Sequence, residues 1–149
     1  MKTLEIKNAV PKYLDIWSEL RSELWLDLSP EESREEISEF TDTDNYEGYI
    51  GFLDSNPVGF IELSIHALDI TGQADRVAYV EGWYIRKDYR SRGYGKQLMQ
   101  FAEKWTGNRK LKSLASDTDE NFPGSLEAHR ALGFREIDIP NHFIKVINT

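Results

Sequence analysis

Tyr84-Ile85-Arg86-Lys87-Asp88-Tyr89-Arg90-Ser91-Arg92-Gly93-Tyr94-Gly95 is the stretch that decides the fold. It carries a strand into a short basic loop with two glycines, and a helical pattern follows at once. Glycine lets the backbone come close to a ligand, and the amides and dipole of a helix N-terminus favour an anion. Positive charge comes from Arg90, Arg92 and Lys96. The stretch therefore predicts a loop that binds phosphate.

The glycine spacing separates this loop from two other phosphate-binding motifs. A Walker A loop needs four residues between its glycines and a serine or threonine after its lysine, whereas Gln97 follows here. A dinucleotide fingerprint needs a third glycine where this chain has Leu98. The remaining pattern, Arg-x-x-Gly-x-Gly between a strand and a helix, resembles the acetyl-CoA pyrophosphate loop of the GNAT superfamily of acyltransferases. The resemblance implies that acetyl-CoA lies against Arg90, Ser91, Arg92, Gly93, Tyr94, Gly95 and Lys96.

Composition and charge argue against several other classes of protein. The 149 residues include no cysteine, which removes disulfides and thiolate chemistry and favours a reducing, cytoplasmic location. With 18 basic and 26 acidic side chains the net charge is −8, the wrong sign for a nucleic-acid-binding protein. No apolar run of about 18 residues predicts a membrane span, and the three histidines are too far apart to form a metal-ligand pattern. We expect a single domain over residues 1–149 that binds no metal, nucleic acid or membrane.

Periodicity and turn residues predict eleven elements in the order β-α-α-β-β-β-α-β-α-β-β. Ser29 before Pro30 marks the start of the second helix, residues 54–57 mark a hairpin turn, and Gly133 ends the last helix. The predicted ranges are 4–6, 11–25, 30–40, 46–53, 58–66, 77–85, 94–105, 111–117, 125–132, 134–139 and 143–147. This order is similar to the GNAT order along the whole chain. The resemblance implies an α/β (α+β) fold with a mixed central sheet of about seven strands, splayed between strands 4 and 5, and about four helices on its faces.

Acidic residues are expected near the opening between the fourth and fifth strands. Glu81 lies two residues before Trp83 and therefore shares its face of the strand, although a salt-bridged structural glutamate is the alternative. Asp117 ends the next strand, and two converging carboxylates would suit a polyamine and deprotonate one of its amines. Gly82 would ease the splay, since glycine in a strand often marks a bulge. Glu62 on the preceding strand is a third candidate for binding the acceptor.

Longer segments resemble the aminoglycoside 6'-N-acetyltransferases within the superfamily. These segments are residues 80–85 (VEGWYI), 113–118 (SLASDT), Ser125 and 128–134 (AHRALGF). The resemblance implies that Glu81 and Asp117 contact a cationic aminoglycoside, and that one of them is the base, directly or through water. It also implies that the N-terminal helices, with Trp25, form one wall of the acceptor cleft. Backbone groups for acetyl-CoA would come from Trp83, Tyr84 and Ile85.

The chain departs from the family pattern at two positions. Many members carry tyrosine four residues before the glycine of the closing Gly-Phe, where its hydroxyl can protonate the leaving thiolate, and this chain has His129 there. Imidazole titrates near neutrality and could donate a proton, while a packing or capping histidine is the alternative. Asn121 is a candidate contact of acetyl-CoA, as is Ser125. Asn121 lies eight residues before His129, one more than the usual family spacing.

These features predict an enzyme that transfers an acetyl group from acetyl-CoA to a primary amine of a cationic small molecule. The resemblance names the 6'-amine of an aminoglycoside and implies a role in antibiotic resistance. Direct attack in a ternary complex is expected because the chain has no cysteine and no Ser-centred nucleophile motif. A polyamine, a peptide N-terminus or a lysine is the alternative acceptor, and an acyl-CoA-binding sensor without catalysis is the alternative class. The family often dimerises, so a homodimer is also expected.

Overall fold

One mixed sheet lies at the centre of the protein in the computed structural model, which describes residues 2–41, 45–66, 76–118, 124–136 and 142–147. The strand order is β1-β2-β3-β4-β5-β7-β6, and β4 with β5 is the parallel pair. The strands are β1 (Glu5–Asn8), β2 (Tyr46–Leu53), β3 (Asn56–His66), β4 (Val77–Ile85), β5 (Ser113–Asp117), β6 (Arg135–Glu136) and β7 (His142–Val146). The predicted mixed sheet of about seven strands is confirmed.

Within the described residues, four helices cover the two faces of the sheet. They are α1 (Leu14–Leu24), α2 (Pro30–Thr41), α3 (Tyr94–Asn108) and α4 (Ser125–Ala131). On one face Trp17, Leu20 and Ile37 join α1 and α2 to the sheet, and on the other Leu98 and Met99 join α3 to it. Because β3 is covered from both sides, it is buried over residues 58–64. In the described ranges, no helix is both long and apolar enough to cross a membrane.

The residues predicted to cap helices and form turns do so in the structure. The Ser29 hydroxyl accepts the Glu32 amide at 3.1 Å while Glu32 Oε1 accepts the Ser29 amide at 3.2 Å, a reciprocal capping box that starts α2. Asp54 and Ser55, with φ of 49° and 71°, form the two-residue turn between β2 and β3. Gly133 follows α4 with φ of 89°, as predicted for a helix C-terminus.

Several predicted boundaries were wrong by a few residues. Helix α1 begins at Leu14 and not at residue 11, because Asn8 Oδ1 accepts the Val10 amide and a separate turn precedes the helix. Strand β3 begins at Asn56 because the tight turn needs only two residues. Strand β5 begins at residue 113, two residues later than predicted. The predicted strand end at 137–139 lies outside the described residues.

Strand β4 opens the sheet at its C-terminal end. It pairs with β5 over Ala78, Tyr79 and Val80 but continues as a strand to Ile85. The parallel ladder therefore ends about halfway along β4, and the backbone beyond Val80 borders a gap. The predicted splay between the fourth and fifth strands is confirmed.

A β-bulge marks the point where β4 leaves β5. Glu62 of β3 pairs with Gly82, and the next residue of β3 pairs with Val80, so Glu81 is the extra residue. A Cβ atom on the neighbouring Gly82 would lie 2.8 Å from the Trp25 ring, so any larger residue there would have to displace that ring. The bulge therefore places Glu81 at the mouth of the gap, with an aromatic ring from the end of α1 close to it.

Candidate active site

The loop between β4 and α3 has the geometry of an anion-binding site. After a short 3-10 turn (Lys87–Tyr89), Ser91 and Gly93 adopt left-handed φ angles of 64° and 86°. Gly93 directly precedes α3 and has no side chain that could cap its first turn. The first amides of α3 therefore remain available to a ligand, and their dipoles favour a negative charge.

Two side chains fasten this loop to the splayed strand. Trp83 Nε1 donates to the carbonyl oxygen of Gly95 at 3.0 Å, and Arg90 Nε donates to the carbonyl oxygen of Ile85 at 2.8 Å. Trp83 is therefore a packing residue as well as a backbone neighbour of the gap. Arg92 and Lys96 are exposed beside the same helix start, where their charge adds to that of the amides.

The unpaired end of β4 points backbone groups into the gap. The Arg86 amide donates to the Val58 carbonyl of β3 at 2.8 Å. The backbone groups of successive residues point to opposite sides of a strand. The amide and carbonyl groups of Trp83 and Ile85 therefore point away from β3. The bond from Arg90 to the Ile85 carbonyl shows the same direction. These groups are in the position that the resemblance implied for contact with acetyl-CoA.

A groove of about 580 Å³ lies over the loop and the end of β4. Eight of the residues expected to hold acetyl-CoA line it: Trp83, Tyr84, Ile85, Arg90, Ser91, Tyr94, Gly95 and Ser125. Gly93, Arg92 and Lys96 belong to the adjoining loop rather than to the lining of the groove. Asn121, the remaining expected contact, lies outside the described residues.

A second cavity of about 170 Å³ lies in the gap between β4 and β5. Its walls include the expected acceptor and catalytic residues Trp25, Glu81, Asp117 and His129. It shares Leu24, Trp83 and Ser125 with the larger groove, so the two spaces adjoin. The arrangement brings a phosphate-binding loop and a pair of carboxylates to opposite ends of one continuous cleft.

Each carboxylate of the cavity is held by a neighbouring side chain. Glu81 Oε1 lies 3.2 Å from His66 Nε2, which is also 3.0 Å from Ser64 Oγ. Burial raises the pKa of Glu81, and the His66 imidazole opposes that rise. The Tyr79 hydroxyl donates to Asp117. Burial and this bond raise the pKa of Tyr79, so the phenol keeps its proton.

His129 is buried in the wall of the cavity and is held at both ring nitrogens. Nδ1 lies 2.7 Å from the Ser125 carbonyl oxygen, which can only accept, so Nδ1 carries the proton. Nε2 then accepts the hydroxyl of Ser116 at 2.8 Å. Burial lowers the pKa of His129, and the Phe143 ring stacks on it with centroids 4.8 Å apart. A neutral imidazole bonded in this way is a poor proton donor, so the geometry supports a packing role.

Glu62 does not lie where an acceptor-binding residue should. Its side chain is fully buried on the α1 side of the sheet and lines neither space of the cleft. It accepts hydrogen bonds from Trp17 Nε1 at 2.9 Å, from Arg21 Nε at 2.7 Å and from the Tyr46 hydroxyl. The expected contact of Glu62 with the acceptor is corrected, because α1 and α2 cover this position.

Sequence reasoning missed two residues that contact the carboxylates of the cavity and one residue that lines it. Tyr79 precedes Glu81 by two residues on one strand, which was a usable signal. His66 had no local signal, because the pairing of β3 with β4 brings it to Glu81. Thr118 lies in the quoted segment 113–118, and among the described residues its Oγ1 is buried without a hydrogen-bond partner. Thr118 also lines the cavity, next to Asp117.

A sequence profile of the Acetyltransferase (GNAT) family matches residues 15–134. The chain belongs to this family of acetyltransferases, as the loop and the order of elements predicted. The match covers the sheet from β2 to β5, the phosphate loop and α4.

Within the family, the chain is similar to proteins named aminoglycoside N(6')-acetyltransferase type 1. The protein of Salmonella typhimurium is 29% identical over 136 residues, which span 91% of this chain and 94% of the relative. The protein of Klebsiella aerogenes is 34% identical over 125 residues, which span 81% of this chain and 82% of the relative. The predicted likeness to this group is confirmed.

Solved structures show the same likeness in three dimensions. The aminoglycoside N-acetyltransferase AAC(6')-Iy in complex with CoA superposes with a TM-score of 0.84 at 27% identity, covering 93% of this chain and 91% of that one. The same enzyme in complex with the bisubstrate analogue CoA-S-monomethyl-acetylneamine superposes with a TM-score of 0.82 at 28% identity, covering 90% and 92%. The cleft described above therefore belongs to a fold that holds CoA in these neighbours.

Proposed function

We propose that this protein transfers the acetyl group of acetyl-CoA to the 6'-amine of an aminoglycoside. The observation that carries the proposal is the single cleft in which a phosphate-binding loop adjoins a cavity with two carboxylates. The names of the relatives and the bisubstrate complex of a structural neighbour support the same acceptor. We further propose that residues 1–149 act as one catalytic domain.

The chain offers a fitting place for acetyl-CoA. The amides that begin α3 would receive the pyrophosphate, since Gly93 leaves them uncapped and Arg92 and Lys96 add positive charge. Backbone groups of Trp83 and Ile85 would bond the pantetheine arm, because no strand pairs with them on the gap side in the described chain. Bound acetyl-CoA supplies the thioester that reacts.

Glu81 is proposed as the base that frees the acceptor amine. Burial raises the pKa of Glu81, which brings this carboxylate closer to the pH at which it must take a proton from an ammonium group. Asp117, held by Tyr79, would bind the positive charges of the acceptor. Activity should therefore rise with pH as Glu81 loses its proton, and fall at acid pH.

The remaining steps need little more than orientation. The neutral amine attacks the thioester carbonyl, and the amide of Trp83 polarises the carbonyl oxygen. The C–S bond then breaks, CoA leaves as the thiolate, and the second proton of the amine nitrogen passes to that thiolate or to solvent. A thiol has a pKa of about 8.5, so sulfur can leave as an anion without a strong acid. His129 is proposed to shape this gap by packing and not to donate a proton.

The test is release of CoA with a panel of amines. Kanamycin and tobramycin should be acetylated, with spermidine, lysine and short peptides as competing acceptors. Glu81→Gln and Asp117→Asn should each lower kcat/KM about 10²-fold if they act as proposed. Glu31→Gln, the same change on the exposed face of α2, is the matched control. Transfer to spermidine or a peptide but not to an aminoglycoside would refute the proposed acceptor. Acetyl-CoA binding without transfer to any amine would refute the enzyme.

Location and assembly are further proposals. The lack of cysteine favours a reducing, cytoplasmic location, and the family resemblance favours a homodimer. We propose that no metal takes part. Light scattering after size exclusion, and activity after dialysis against EDTA, would test the last two.

A further inference from the structure

His66 lies beside the proposed base although it belongs to none of the family segments. It is the last residue of β3, and its Nε2 is 3.2 Å from Glu81 Oε1 and 3.0 Å from Ser64 Oγ. The ring packs on Tyr79 with centroids 4.7 Å apart. The side chains of His66 and Glu81 are 30% and 26% exposed, so the pair reaches the protein surface and is only partly screened by water.

In the hydrogen bond of this pair, His66 is the donor and Glu81 is the acceptor. An ionised carboxylate can only accept, so the proton must be on Nε2 of His66, which donates to Oε1. Engaging Oε1 leaves the second oxygen of Glu81 for the acceptor. Because Glu81 is the extra residue of a β-bulge, the β3 ladder does not pair it, and its side chain depends on such a bond for orientation.

The charges around the pair make this donor important. Burial and the nearby Asp117 carboxylate both favour protonation of Glu81, whereas the His66 imidazole and Ser64 favour its ionised form. The titratable groups that face the pair are Asp117, Tyr79, Tyr46 and, behind Tyr46, Glu62. The two phenols donate to Asp117 and Glu62, so among these described titratable neighbours His66 is the one within hydrogen-bond distance of the Glu81 carboxylate.

We propose that His66 is a positioning residue that orients Glu81 and keeps it ionised, and thereby sets the lower pH limit of acetyl transfer. The inference rests on the proposed function, since Glu81 is taken as the base. Deprotonation of the acceptor moves one proton from the ammonium nitrogen to Glu81.

Two variants separate the hydrogen bond from the packing. His66→Phe keeps the ring against Tyr79 and removes the donor, while His66→Gln keeps an N–H donor. At pH 6.5, His66→Phe should lower kcat/KM for the amine about ten-fold and move the acid limb of the pH profile to higher pH. His66→Gln should stay within about three-fold of the wild-type protein. A His66→Phe profile that superposes on wild type would overturn the proposal, as would a His66→Gln variant equally impaired.

A second readout needs no substrate. The side-chain carboxyl carbon of Glu81 can be followed by NMR during a pH titration, with Glu81→Gln to identify its signal. The midpoint should be higher in His66→Phe than in wild type, with a smaller rise in His66→Gln. An unchanged midpoint would overturn the role of His66 even if acetyl transfer is intact. A raised midpoint in a protein that acetylates no amine would support the pairing and refute the proposed function.

Discussion

Replacing Arg21 by methionine tests whether Glu62 stabilises the fold instead of binding the acceptor. Arg21 Nε lies 2.7 Å from Glu62 Oε2, and the two side chains are 5% and 0% exposed. Methionine keeps the length of the stem and removes the charge. The carboxylate would then be buried with only the Trp17 and Tyr46 donors.

The expected loss is large because the partner charge stays behind. Breaking a buried pair by removing one partner typically costs about 3–5 kcal/mol. For a domain of this size 1 kcal/mol corresponds to roughly 2–4 °C, so the melting temperature should fall by about 6–20 °C. Burial already raises the pKa of Glu62, against the pull of Arg21. An acid with a raised folded-state pKa loses stability as pH rises, so the deficit of Arg21→Met should shrink between pH 7 and pH 5.

Urea unfolding and calorimetry at both pH values would measure this loss. Arg34→Met is the matched control, because Arg34 pairs with Asp15 at the surface, where the side chains are 47% and 91% exposed. Such a pair contributes about 0–1 kcal/mol. Adding Glu62→Gln to Arg21→Met removes the unpaired charge and should recover at least about 1 kcal/mol. The reasoning is refuted if Arg21→Met is no less stable than Arg34→Met, or if the double variant recovers nothing.

Three further outcomes follow from the geometry of the cleft. Gly93→Ala must place a side chain at φ of 86°, which costs about 1–2 kcal/mol and should weaken acetyl-CoA binding in calorimetry. Gly82→Ala meets the Trp25 ring at 2.8 Å and should raise KM for the amine more than KM for acetyl-CoA in steady-state assays. Burial lowers the pKa of His129, so the unfolded chain binds that proton more readily and stability should fall below about pH 6.5; His129→Gln should flatten this pH dependence in urea unfolding.

The phosphate loop could be predicted from sequence because every part of it is local. A strand, a left-handed glycine and a helix start follow one another within twelve residues, and each has its own residue preference. The order of elements was predictable for the same reason, as were the cap at Ser29 and the turn at Asp54. Boundaries differed where a side chain such as Asn8 competed with the helix for a backbone amide.

The partners of the carboxylates could not be predicted because they depend on contacts between distant segments. Glu62 and Glu81 look alike in sequence, as acids in the middle of apolar strands. Packing of α1 buries Glu62 under Trp17 and Arg21, while the bulge turns Glu81 towards His66. Neither helix packing nor strand register is written in the local pattern of either strand.

The location of the cleft follows from unequal strand lengths. Strand β4 has nine residues and β5 has five, and they run parallel from a common start, so the last residues of β4 have no partner on that side. Unpaired backbone must find another partner or remain solvated. The bulge at Glu81 puts the carboxylate where the part of β4 that pairs with β5 ends and the unpaired part begins. The same feature thus supplies hydrogen-bonding backbone to one ligand and a base to the other, which explains why Trp83 lines both spaces of the cleft.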